Sequence, residues 1–156
     1  MSMLIDAANA LVAELNNAGA GWSSALNARR YYVPSFTPDE LRTRRVSVVP
    51  AMVDIKPISR DEKQYDMRID VAVQQLVEPD ATIVDETARD ADKLAKLDAL
   101  MVLVDDIEDH FTAELLPGVT NTMCIGVENA PIFHPPHLEG KSVFTSVLTF
   151  TFRGSR

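Results

Sequence analysis

His134 and His137 enclose Pro135 and Pro136 and stand beside Glu139, and imidazole and carboxylate are the donors that zinc and related metals take. Two prolines hold such a segment extended or in a turn, whereas a metal needs third and fourth ligands converging from rigid elements. The set therefore reads first as an interaction loop, with a small metal-binding module or metal-dependent enzyme as the alternative. Asp105, Asp106, Glu108 and Asp109 offer carboxylates for acid–base work or a divalent cation. Successive helical positions point about 100° apart, so these four fan out along a solvated face. Cys124 is the single cysteine, which excludes an intrachain disulfide and suits a reducing space. With no activating partner nearby in sequence, it reads as a small buried hydrophobe. The six glycines are scattered and form no phosphate-cradling loop, and no serine lies in a Gly-x-Ser-x-Gly elbow. No residue takes a catalytic role on this reading, and no cofactor or bound metal is expected.

The remaining chemistry is charge and aromatic surface. Lysine and arginine number 15 against 23 acidic residues, a formal net charge of −8 that disfavours sequence-independent binding to a phosphate backbone. Against that background Arg29, Arg30, Arg42, Arg44 and Arg45 form the one basic concentration. They read as partners for carboxylates of a neighbouring subunit before they read as phosphate contacts. Trp22, Tyr31, Tyr32 and Phe36 lie among prolines in irregular or edge segments, where they either roof a sheet or meet another subunit. The candidate interface set is thus Arg29, Arg30, Tyr32, Phe36, Arg42, Arg44 and Arg45, with Asp85 and Glu86 on the acidic side and His134 and His137 in the proline-rich loop.

The elements that must position these residues follow from periodicity. Leu4, Ala8, Leu11, Val12 and Leu15 recur at helical steps, opened by Ser2 and closed by Gly19, with a loop over 19–24. Strands are expected over 26–33, over 44–55 (with Pro50 marking an edge or a bulge) and over 63–77, the last two joined as an antiparallel hairpin. The acidic stretch 78–92 reads as a solvated, mobile connection. A long helix carries Leu94, Leu97, Met101, Val104, Ile107, Phe111 and Leu115, and Pro117-Gly118 ends it. A short strand from Met123 to Ala130, a proline-rich turn over 131–140 and a last strand over 141–153 complete the chain. With 156 residues, 46% of them hydrophobic, one α+β domain over 1–156 is expected. Its sheet is antiparallel or mostly so, with four to five strands and two helices on one face. No basic leader and no apolar run long enough to span a bilayer is found in the sequence, so no membrane partner is expected.

Three stretches carry a resemblance. They are Ile5-Asp6-Ala7-Ala8-Asn9-Ala10 in the opening helix, Arg45-Val46-Ser47-Val48-Val49-Pro50, and Glu128-Asn129-Ala130-Pro131-Ile132-Phe133 through Phe144-Thr145-Ser146-Val147-Leu148-Thr149-Phe150. With the element order, they resemble the tail-terminator and tail-completion proteins of the necks of tailed bacteriophages and prophages. The resemblance implies a structural virion protein, made in the host cytoplasm, that forms a homo-oligomeric ring, commonly a hexamer, at the head-facing end of the tail. Its implied partners are connector and tail-tube proteins, with genomic DNA passing through the lumen unbound. A generic protein-interaction module is the remaining alternative.

Overall fold

The computed structural model describes residues 2–17, 21–22 and 25–156. Among these residues the fold is α+β: one mixed, mostly antiparallel sheet of five strands and three helices. In chain order these are α1 (Met3–Leu15), β1 (Arg29–Arg30), a 3-10 turn at Glu40–Arg42, β2 (Arg45–Pro57), β3 (Lys63–Leu76), α2 (Glu86–Phe111), β4 (Met123–Glu128), α3 (Pro135–Lys141) and β5 (Val143–Ser155). The strand order is β1-β2-β3-β5-β4.

The two central strands build the core. β3 and β5 pair without interruption from Gln64↔Ser155 to Leu76↔Val143. Alternation puts Met67, Ile69, Val71 and Val73 in one row with Phe152, Phe150, Leu148 and Ser146. The apolar members of that row are wholly buried. α1 lays Met3, Ala7, Ala8, Leu11 and Leu15 on this row, and α2 adds Leu100, Leu103, Val104, Ile107 and Phe111. Gly154 closes the row where α1 begins: a Cβ there would stand 2.7 Å from Thr122 Oγ1 and 2.9 Å from Met3 Cε, so only glycine fits. At the other end of α1 the Asn16 amide replaces a neighbouring strand. It donates to the Ala28 carbonyl at 2.9 Å and accepts from the Ala28 N–H at 2.7 Å.

Both flanking strands carry an irregularity that the central ones lack, between Pro50 and Met52 in β2 and between Cys124 and Gly126 in β4. One surplus residue in each shifts the alternation. Val46, Val48 and Pro50 face the core side before the bulge of β2, and Val53 and Ile55 face it afterwards.

Several expectations are corrected. The strand expected over 26–33 reduces to Arg29–Arg30, and it runs parallel to β2, extended only by the Tyr31 N–H donating to Val48 O. Pro34, which has no N–H, follows closely. The acidic 78–92 stretch is half helix: Asp85 caps α2 by accepting from the Ala88 N–H at 3.0 Å, and helix continues from Glu86. The part before it is tied down, with the Asp80 N–H on Asp92 Oδ2 and Lys96 Nζ on Glu78 O. At its other end α2 stops at Phe111, short of Leu115 and Pro117, and Leu94 and Leu115 are exposed. The turn expected over 131–140 contains α3, because prolines are tolerated in the first helical turn, where the N–H they lack has no partner to lose. This third helix comes to the opposite face of the sheet, where His137 Nδ1 lies 3.1 Å from Thr145 Oγ1. Gly19 and part of the 19–24 loop lie outside the described residues.

Candidate functional site

The candidate residues fall into three places. At the β1 edge Arg29 is exposed, and Arg30 lies 5.3 Å from the ring centroid of Tyr32 and donates to its hydroxyl at 3.0 Å. Tyr32 itself is largely in solvent. Arg42, in the 3-10 turn, is exposed and pairs with Asp39 at 3.3 Å. Arg44 and Arg45 are tied into their own chain. Arg44 donates to Ala25 O at 3.2 Å and lines a cleft of about 280 Å³ together with Leu100 and Asp106, and burial pushes its pKa down. Arg45 donates to Glu40 O at 3.0 Å and stacks over Phe36. The interface candidates at this edge are therefore Arg29, Arg30 and Tyr32, with Arg42 exposed in the 3-10 turn, while Arg44 and Arg45 are tied to their own chain.

The second place is a cleft of about 520 Å³ on the face away from α1. It joins Phe36 to His137 across 101 positions of sequence, with Leu41, Gln74, Lys141 and Val143 completing the wall. Phe36 meets Tyr31 edge-on at 5.5 Å. His134 caps α3 and its ring lies 4.1 Å from that of His137. Burial, and then the charges of His134 and Lys141, lower the pKa of His137. Among the described residues no group of three or more His, Cys, Asp or Glu side chains is placed to hold a metal ion. The two histidines thus share a wall without a third ligand, and Glu139 does not complete a set. Gln74, Lys141 and Val143 escaped sequence reasoning because they belong to the smaller, polar rows of their elements. The alternation that put Gln74 opposite the apolar row is the signal that could have found it.

The third place is acidic. Asp85 is a helix cap and Glu86 the first residue of α2, both exposed. Asp105, Asp106 and Asp109 are exposed and Glu108 half-buried around the buried Ile107, so the carboxylates diverge. Between residues 97 and 140 the sequence has no lysine or arginine. β4, at the sheet edge opposite β1, belongs to this stretch, and Glu114 adjoins it through the Leu115–Met123 bridge. Cys124 is buried in the core and its thiol is pushed up by burial, which keeps it protonated and unreactive. Trp22 packs edge-on against His110 at 5.1 Å, and His110 Nε2 meets Glu14 Oε1 at 2.9 Å. These residues lock the C-terminal ends of α1 and α2 together. Among the described residues no helix is long and apolar enough to cross a membrane.

Compared with models of known protein families and with curated proteins, the chain matches none.

Proposed function

We propose that this chain is a structural subunit of a tailed-phage or prophage neck. On this reading it assembles with copies of itself into a ring, six-fold by resemblance, at the head-proximal end of the tail, as a tail terminator or completion protein. The observation that carries the reading is the separation of charge across the sheet. Arg29 and Arg30 present cation at the β1 edge, with Arg42 exposed in the 3-10 turn, and the opposite β4 edge lies in a stretch of 44 residues without lysine or arginine. A subunit with unlike, complementary edges makes heterologous contacts, and those close into rings when the rotation allows. The net charge of −8 supports the second half of the reading, because an acidic lumen lets DNA pass without tight phosphate contacts.

The test is charge reversal at exposed positions only, Arg29→Glu with Arg42→Glu, leaving Arg44 and Arg45 to hold their loop. The variant should keep its circular dichroism spectrum and lose ring-shaped particles in negative-stain micrographs. Rings that form as before remove the charge argument.

A further inference from the structure

α3 buries none of its residues: His137 and Leu138 are half-covered and the rest stand in solvent. Apolar packing therefore does little to hold it, and its ties to the sheet are polar. The His134 N–H donates to Thr145 O at 2.9 Å. His137 Nδ1 lies 3.1 Å from Thr145 Oγ1, which also accepts from Gln74 Nε2 at 3.5 Å. At the far end the Val77 N–H donates to Ser142 O at 2.8 Å. The loop before α3 is pinned separately, by Ser146 Oγ donating to Ile132 O at 2.6 Å. Ser142 joins α3 directly to β5 and stands at φ 55°, a conformation that residues other than glycine adopt at a cost. The helix hangs between a pinned loop and a strained joint, with a histidine at its side-chain anchor.

The charges around that anchor are of one sign. On α3 the His134 ring lies 4.1 Å from that of His137, and Lys141 lines the same cleft as His137. Glu139 is two positions on from His137, about 200° round the helix. From β3 and β5 come Gln74 and Thr145, which carry no charge. Across the cleft, Arg45 stacks over Phe36, and the two acids of residues 36–41 are turned elsewhere, Asp39 to Arg42 at 3.3 Å and Glu40 to the Thr37 N–H at 2.7 Å. No third donor among the described residues makes a metal site of the two histidines, so what the pair takes up is a proton. That proton has cations for neighbours and no carboxylate to receive it.

We propose that α3 is an acid-released latch: protonation of the His134–His137 pair frees the helix from Thr145 and opens the cleft that α3 shares with residues 36–41. Burial, and then the charges of His134 and Lys141, already lower the pKa of His137 while the helix is docked. Docking thus takes the neutral ring. It is at full strength above the ordinary histidine range and weakens as the pH falls through that range toward the lowered value of the docked ring. Each pKa unit displaced by docking is worth about tenfold in the docking equilibrium.

The experiment measures amide exchange by NMR between about pH 8 and about pH 5, a window above the ordinary carboxylate range, as protection relative to the intrinsic rate at each pH. The reporters are the N–H groups of His134, Ser142 and Val77, which donate to Thr145, Leu138 and Ser142, and Ile69 in the middle of β3 is the reference. Protection of the three reporters should fall about tenfold on acidification while that of Ile69 holds. In the double variant His134→Gln with His137→Gln, whose amides can bond to Thr145 but do not titrate, protection should be the same at both ends of the window. Thr145→Val, which removes the anchor, should give the low value throughout, at an unchanged circular dichroism spectrum. Equal protection of the wild-type reporters at both ends overturns the latch. So does a fall that persists in the double glutamine variant or that Ile69 shares in equal measure, and so does full protection in Thr145→Val.

Discussion

The two halves of the β2–β3 hairpin use the same kinds of residue and end in opposite environments. Val46 and Val48, beside Val73 and Val71, are sealed under α1, whereas Val53 and Ile55 on the same side of the sheet stand in solvent. Pairing does not distinguish them, since the register runs on to Pro57↔Lys63. What differs is the length of the covering helix. Burial in this sheet is decided by where α1 starts and by the bulge that keeps the apolar row on one side, and composition along the strand says little about it. An uncovered ribbon of two strands is marginal in water, and here β5 supports the outer half of the hairpin by pairing with β3 as far as Ser155.

The contrast can be broken by substitution. Phe150→Ala, deep in the covered half, should cost about 3–5 kcal/mol and lower the thermal midpoint by roughly 10 °C. At the boundary, Gly154→Val forces a side chain into Thr122 and Met3 and should cost about 1–3 kcal/mol, read by urea denaturation. Asn16→Ala leaves both Ala28 backbone groups without their side-chain partner and should cost about 1–3 kcal/mol. In the uncovered half, Ile55→Ser should stay within about 0.5 kcal/mol. A loss at Ile55 comparable to that at Phe150 would mean that the outer half of the hairpin is covered in its own chain.

The smallest effect concerns pH. The hydrogen bond from Arg153 holds the Asp66 carboxyl below the ordinary aspartate range, with burial acting weakly against it. A depressed folded pKa gives stability that is present above the unfolded value and lost as the pH falls through the folded one. The protection of the amides of residues 63–68, taken relative to the intrinsic exchange rate at each pH, should therefore fall as the solution is acidified below the ordinary aspartate range. Asp66→Asn should flatten that dependence.

Fold class, the two long helices and the central strands were legible because their periodicities are clean: Met67, Ile69, Val71 and Val73 alternate without a break, and Leu97, Met101, Val104, Ile107 and Phe111 keep helical steps. What failed depends on events that periodicity does not record. The start of α2 was hidden because an acidic stretch resembles a loop until Asp85 is seen as its cap. α3 was hidden because paired prolines end helices more often than they open them. β1 is parallel because its two residues are placed by Asn16 and by the free side of Ser47 and Val48. Of the interface candidates, exposure singles out Arg29, Tyr32, Arg42, Asp85, Glu86 and His134, and long-range geometry alone reveals that Arg44 and Arg45 brace their own loop.

The surplus residue after Pro50 sets the parity of everything distal to it. Were Ala51 paired regularly with Arg68 and the bulge lost, Val53 would stand opposite Asp66 and Ile55 opposite Gln64, and Met52, Asp54 and Lys56 would come round to the greasy side. The way one residue is accommodated thus determines which surface of the outer hairpin the outside world meets.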